Sequence, residues 1–181
     1  SRLMAGTTFP PEYYRPVSTL SYSLDYLLWG RDPFGYQLTN LLLHTIVALL
    51  VGHIVLLIRS SDRTREVRIW PQGCAAAAAA CLVLFHPLAT EVVPSPARRQ
   101  DVLATLFLTA TVLLAGRFFH RPLLSRKRLL IGAWGCWALA LGSKEIAAIG
   151  VPLLTLLGWW AYRERGWGRK PGTYATAVAG F

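Results

Sequence analysis

The chain has 181 residues, of which 54% are hydrophobic and only 15% charged, yet it carries a net charge of +10. A water-soluble domain of this length would hold nearer a quarter charged residues, so an ordinary soluble enzyme is excluded. Its basic residues flank apolar runs in short loops, which points to anionic lipid headgroups as partners and away from nucleic acid.

Sorted by alternate loops, the charges separate. The stretches 59–70, 117–128 and 163–170 hold thirteen Lys/Arg and three Asp/Glu, whereas 1–34, 91–101 and 144–145 hold six of each. Under the positive-inside rule the first set faces the cytoplasm and the second the outer side. The expected fold class is therefore all-α, a polytopic transmembrane helix bundle.

In chain order, residues 1–34 read as an extracytoplasmic loop. Within it, Leu20, Leu24, Leu27 and Leu28, with Tyr22, Tyr26 and Trp29 among them, predict an amphipathic helix lying in the interface. Asp32-Pro33 and Gly35 turn the chain inward. Spans are expected over about 35–58, 73–93 and 102–119, each near the length that crosses hydrocarbon. The alanine run between Cys74 and Cys81 suggests close helix packing. As one helix, Leu129–Tyr162 would be about 51 Å long, too long for a bilayer. Gly142-Ser143-Lys144-Glu145 divides it into spans over 129–143 and 146–162 joined by a tight, recessed turn, and a truncated span starts near 174. No signal peptide precedes these. Both ends look cut, so the chain reads as an internal fragment of a longer polytopic protein, inactive by itself.

Cys74, Cys81 and Cys136 read as small buried hydrophobes, His53 as a packed core histidine, His120 as headgroup-facing, and Trp159, Trp160 and Trp167 as interfacial anchors. No spacing of His, Cys or carboxylates suggests a metal site, and there is no phosphate loop or G-x-S-x-G nucleophile.

What remains is a polar set at the outer ends of the spans: Asn40 and His44, one helical turn apart; His86, Glu91, Arg98, Arg99 and Asp101; and Lys144-Glu145. Charges beside apolar helices must be paired or face a wet cavity. One reading is structural, with Glu91 on an arginine, Lys144 on Asp101, and Asn40 and His44 as helix glue. The other is chemical. Arg and Lys clamp phosphate oxygens and steady a departing phosphate, and carboxylates take protons or support an oxocarbenium-like state. A sugar carried on a polyprenyl phosphate needs both, with a greasy groove for its tail.

At these residues a family resemblance enters. Tyr14-Arg15-Pro16-Val17-Ser18-Thr19-Leu20-Ser21-Tyr22, Gly35 with Asn40-Leu41-Leu42-Leu43-His44, His86-Pro87-x-x-Thr90-Glu91, Arg99-x-Asp101-Val102-Leu103 and Lys144-Glu145 resemble, in order and spacing, the membrane O-mannosyltransferases that carry tetratricopeptide repeats, and their bacterial relatives. The resemblance runs from about residue 14 to 154. It implies a GT-C-type glycosyltransferase with an extracytoplasmic active site, no cofactor, a polyprenyl-phosphate sugar as donor, and a protein or glycan hydroxyl as acceptor. It also implies an acidic pair, including the catalytic base, upstream of residue 1. Ala89 and Ser143 depart from the family's frequent histidine and cysteine. The expected donor-phosphate contacts are Arg98, Arg99 and Lys144, with His86, Asn40 and His44 also substrate-facing. Glu91, Asp101 and Glu145 are the carboxylate candidates. The composition suggests a bacterial inner membrane. A lipid or glycolipid transporter is the main rival and a purely structural membrane subunit the third reading. Against the transporter stands the near absence of polar residues from the cytoplasmic halves of the spans.

Overall fold

The computed structural model describes residues 15–61, 71–92, 94–120 and 123–164. Every regular element among them is helical: α1 (Pro16–Trp29), α2 (Pro33–Ser61), α3 (Gln72–Leu84), α4 (Pro87–Val92), α5 (Arg99–His120), α6 (Leu123–Ser143) and α7 (Gly150–Glu164). Short 3-10 turns, Pro96–Arg98 and Glu145–Ile149, lead into α5 and α7.

The boundaries follow from local chemistry. Pro16 opens α1, where its missing N–H costs nothing. Gly30, at φ 60°, closes it, with its N–H bonded to Tyr26 O at 2.9 Å. Asp32 Oδ1 then accepts from Phe34 N at 3.0 Å and starts α2. The stretch 73–93, expected as one span, is two helices. Pro87 cannot bond back to the Val83 carbonyl and its ring clashes there, so α3 stops at Leu84. The freed Val83 carbonyl instead meets His44 Nε2 at 3.2 Å. Between α6 and α7 the chain turns at Lys144, which is extended (φ −157°, ψ 139°).

Contacts give the helix directions. Arg99 meets Tyr36 and Asn40 and Gly116 meets Leu57, so α2 and α5 run parallel. Thr111 reaches Ala133 O and Lys144 reaches Asp101, so α6 is antiparallel to α5. Gly52 packs against Ala76 and Ala80, and α3 is antiparallel to α2. One end of the bundle thus gathers the starts of α2 and α5 and the ends of α3 and α6. The other carries Arg59, Arg117, Lys127, Arg128 and Arg163. Helix α1 crosses the first end, touching α6 through Val17 and Gly142, α5 through Arg99 and α2 through Thr39.

Large and small residues are distributed inside out relative to a protein in water. The buried apolar residues are mostly small: Ala48, Ala76, Ala104, Ala115, Ala133, Ala140 and Ala147, with a few larger ones such as Val47 and Leu113. Leu27, Leu28, Leu82, Phe85, Ile131 and Leu156 are exposed. Among the described residues, two helices are long and apolar enough to cross a membrane: Pro33–Arg59, of mean hydropathy 2.6, and Pro96–Phe118, of 1.5. Only 17% and 33% of their apolar windows are buried, which is unlike core helices of a soluble protein and fits residence in a membrane.

Some expectations are corrected. Cys74 and Cys81 are exposed and Cys136 is half-buried, because α3 packs chiefly on α2 and turns its other face outward. His53 is exposed too, with Nδ1 near Leu49 O at 3.1 Å. Trp159 is exposed, with the Arg163 guanidinium 5.5 Å from its ring centre. Trp167 and the span expected from 174 lie outside the described residues.

Trp29 folds back so closely on Gly35 that a Cβ there would lie 2.2 Å from the ring and 2.6 Å from Trp29 Cβ. Contact at the root of a side chain cannot be relieved by a rotamer change. Gly35→Ala should therefore destabilise the protein by about 1–3 kcal/mol, read as a lowered unfolding midpoint in detergent. An unchanged midpoint would refute this packing.

Candidate functional site

The buried polar residues Ser18, Asp25, Asn40, Arg99 and Ser143 all lie at the end crossed by α1; Thr111 alone among the described buried polar residues sits along the helices. The centre is Arg99, at the first position of α5 and 0% exposed. Its Nε donates to Asn40 Oδ1 and its Nη2 to Tyr36 O, both at 2.8 Å. Its Nη1 lies 3.5 Å from Ser21 Oγ and is ion-paired with Asp25. Asp25 Oδ2 is held there by charge contact rather than an aligned hydrogen bond, while Oδ1 accepts from Thr39 Oγ1 at 3.1 Å. The guanidinium also lies 5.1 and 5.8 Å from the ring centres of Tyr22 and Tyr36. Asn40 completes the link by donating Nδ2 to Ser95 O at 3.2 Å. Burial holds the Tyr22 phenol above its ordinary range, with the Arg99 charge pulling the other way. The hydroxyl thus stays protonated at neutral pH and donates to Pro96 O.

Beside this core, and more open to solvent, is a second group. Lys144 is paired with Asp101. Arg15 donates to Glu145 through Nη2 at 2.7 Å and Nε at 3.3 Å, and to Gln100 through Nη1. The Arg15 side chain is 17% exposed and that of Glu145 72%. Arg15 hydrogen bonds hold the Glu145 carboxyl below the usual glutamate range. The turn carrying Lys144 and Glu145 is braced by Trp137 Nε1, which donates to Ala147 O at 3.1 Å. An open groove of about 540 Å³ adjoins the Arg99 centre at Tyr22 and Tyr36 and is lined also by Thr19, Ser23, Tyr26 and Leu27.

The expected site residues therefore divide. Asp101, Lys144 and Glu145 come together. Arg99 and Asn40 are enclosed beneath them as a link between helices, so Arg99 could meet a phosphate only by shedding Asp25, Asn40 or Tyr36. Arg98 pairs with Glu91 at 3.1 Å on the surface, their side chains 48% and 62% exposed. His86 is exposed at the start of α4, and His44 is engaged with Val83 O. The pairings of Lys144 with Asp101 and of Glu91 with an arginine are those the structural reading anticipated. Arg15, Asp25 and Gln100 were not foreseen as site residues. The signal for Asp25 was its place on a stripe with Ser18 and Ser21, opposite the leucines of α1. Among the described residues no group of His, Cys and carboxylates could hold a metal ion.

A helical, membrane-resident protein with a basic and acidic cluster at one end of its helices is the class this geometry defines. The chain resembles the protein O-mannosyl-transferases. It is 33% identical over 129 residues to Protein O-mannosyl-transferase tmtc2 of Xenopus laevis, a match covering 71% of this chain and 13% of that protein. It is 32% identical over 109 residues to Tmtc3 of Drosophila melanogaster, covering 55% of this chain and 12% of that protein. Against human TMTC4 it is 30% identical over 118 residues, covering 62% and 15%. The chain thus spans well under a fifth of the length of these relatives. No family model and no solved structure matches it.

Two outcomes follow from the geometry. Removing one partner of a buried ion pair strands the other, so Arg99→Ala should cost about 3–5 kcal/mol of stability. Retained stability with lost activity would instead make Arg99 a substrate contact. The lowered Glu145 carboxyl contributes stability above the ordinary glutamate pKa, and this is lost only as pH falls through the lowered value. Because that carboxylate is largely exposed, comparing acid unfolding of the protein with Glu145→Gln should show at most a small gap, present near neutral pH and shrinking as pH falls through the lowered value. A gap independent of pH would refute the Arg15 contact.

Proposed function

We propose that this chain is part of an integral-membrane glycosyltransferase that moves a sugar, mannose by resemblance, from a polyprenyl-phosphate donor to a protein hydroxyl at the extracytoplasmic face of a bacterial inner membrane. The observation that carries the reading is the meeting of Arg15, Gln100, Asp101, Lys144 and Glu145 at one end of helices whose outer faces are apolar. The named activity of the three relatives agrees with it.

In this reading the donor's tail runs along the apolar outer faces and its phosphate reaches the ends of α5 and α6. Lys144 is the foremost phosphate contact. Its ammonium has three donors, and the carboxylate of Asp101 orients it without blocking a phosphate oxygen. Arg15 and Arg98 supply further positive charge. As the sugar–oxygen bond breaks, negative charge collects on the departing phosphate, and these fixed cations stabilise that state more than the ground state. Asp101, Glu145 and Glu91 each commit their charge to a cation. Their part is to position those cations, and none is assigned as the base. Arg99 and Asn40 act beneath as the frame. The transporter alternative gains nothing from the placement of the buried polar groups, which concentrate at one end instead of lining a route.

Lys144→Ala in the full-length parent should lower transfer from a polyprenyl-phosphate mannose to a peptide hydroxyl by about 10²–10³-fold, with Lys144→Arg intermediate. Both variants within a few-fold of the parent would remove Lys144 from the site. Movement of the intact lipid-linked sugar across vesicles, with no bond broken, would favour the transporter.

A further inference from the structure

We infer that Asp25 is a positioning residue: through Arg99 it holds α1 crosswise over the ends of α2, α5 and α6 and thereby sets Arg15 against Gln100 and Glu145. The inference rests on the proposed transferase reading for its catalytic arm only.

The two ends of α1 are held very differently. Near its start the side-chain links are Ser18 Oγ to Ser143 O at 3.2 Å, the packing of Val17 on Gly142, and Arg15 on Glu145 and Gln100. An ion pair whose carboxylate is 72% exposed contributes little to holding a helix down. Ten residues on, Asp25 and Arg99 are 4% and 0% exposed in their side chains. Separating them would leave a buried charge on each side, so this contact opposes lifting of α1 far more strongly. Arg99 in turn is fastened to α2 by Asn40 and the Tyr36 carbonyl, and Thr39 of α2 donates to Asp25 directly. One carboxylate therefore joins three helices.

A counterforce makes the contact necessary. The outward face of α1 carries Leu20, Leu24, Leu27 and Leu28, all more than half exposed, and in a bilayer that face draws the helix toward the acyl chains. The opposite stripe of Ser18, Ser21, Tyr22 and Asp25 faces the protein, with Val17 and Trp29 packing on Gly142 and Gly35 at either end. A helix is stiff over the roughly 15 Å between residues 15 and 25, so release at Asp25 carries Arg15 away from Gln100 and Glu145.

The geometry supplies its own reporter. A Cβ placed on Gly142 lies 3.8 Å from Val17 Cβ, the mean separation in a disulfide. In the full-length parent in native membranes, Val17→Cys with Gly142→Cys should cross-link rapidly under copper-phenanthroline. Adding Asp25→Asn should slow cross-linking at least ten-fold, and Asp25→Glu should restore most of the rate. Asp25→Asn should also lower kcat for sugar transfer at least ten-fold with acceptor KM within two-fold, and forming the disulfide should return kcat to within three-fold of the cross-linked parent. Three results would overturn the proposal: cross-linking of Asp25→Asn within two-fold of the parent; a cross-linked Asp25→Asn protein as slow as the reduced one; or a variant with less folded protein whose surviving fraction cross-links and turns over normally. If cross-linking slows as expected but the parent transfers no sugar, the strap stands and the transferase reading falls.

Discussion

Arg99 is the one side chain that the rest of the arrangement depends on. Its guanidinium is withdrawn completely from solvent, and a charge in such a place survives only if nearly every donor is met. Meeting them takes a carboxylate and a hydroxyl from α1, an amide and a carbonyl from α2, and two tyrosine rings. Lysine could not do this, because a compact ammonium cannot reach divergent acceptors in one plane. The crossing of α1 over the bundle is thus a consequence of satisfying one cation.

Burying that cation also divides the labour among adjacent residues at the start of α5. Arg98 points to the surface and Glu91, Arg99 inward, Gln100 toward Arg15 and Asp101 toward Lys144 in the turn after α6. Four consecutive residues at a helix start face different ways, so one frame residue and several accessible polar ones share a single turn. The frame fixes the backbone from which the accessible ones project. That is the arrangement a site needs if its charged groups are to hold position without being buried.

Much of this was legible in the sequence. The apolar run of α2 is long and uninterrupted, and the break at Gly142–Glu145 stands out against flanking hydrophobes, so both could be read from hydropathy and length. Among the described residues, Arg59, Arg117, Lys127, Arg128 and Arg163 lie at the end away from α1. The break at Phe85-His86 was missed because hydropathy carries straight through it; the cause is local, Pro87 denying the Val83 carbonyl its partner. Arg99 was grouped with Arg98 and Lys144 because composition cannot distinguish a buried guanidinium from an exposed one. Asp25 was given no role because it does not match the acidic motif that the family resemblance implies, and because the polar side of an interfacial helix suggests a face turned to water. In a helix lying against a membrane protein that inference reverses, and the leucines take the outer side.

The same reversal explains the packing elsewhere. Between helices in lipid, burial of large apolar groups brings little gain, so close approach through small residues decides which faces meet. Gly52 against Ala76, Ala133 beside Thr111 and Ala115 on α5 are such contacts. Small-residue seams set how near the helices lie but leave them free to slide along one another. Polar contacts resist sliding, because they have fixed lengths and partners. Here they are concentrated where α1 crosses, with Asp25, Asn40, Arg99, Asp101 and Lys144 joining four helices. Register in this bundle is therefore set from the polar end, so the residues best placed for chemistry stand where the helices are held most firmly.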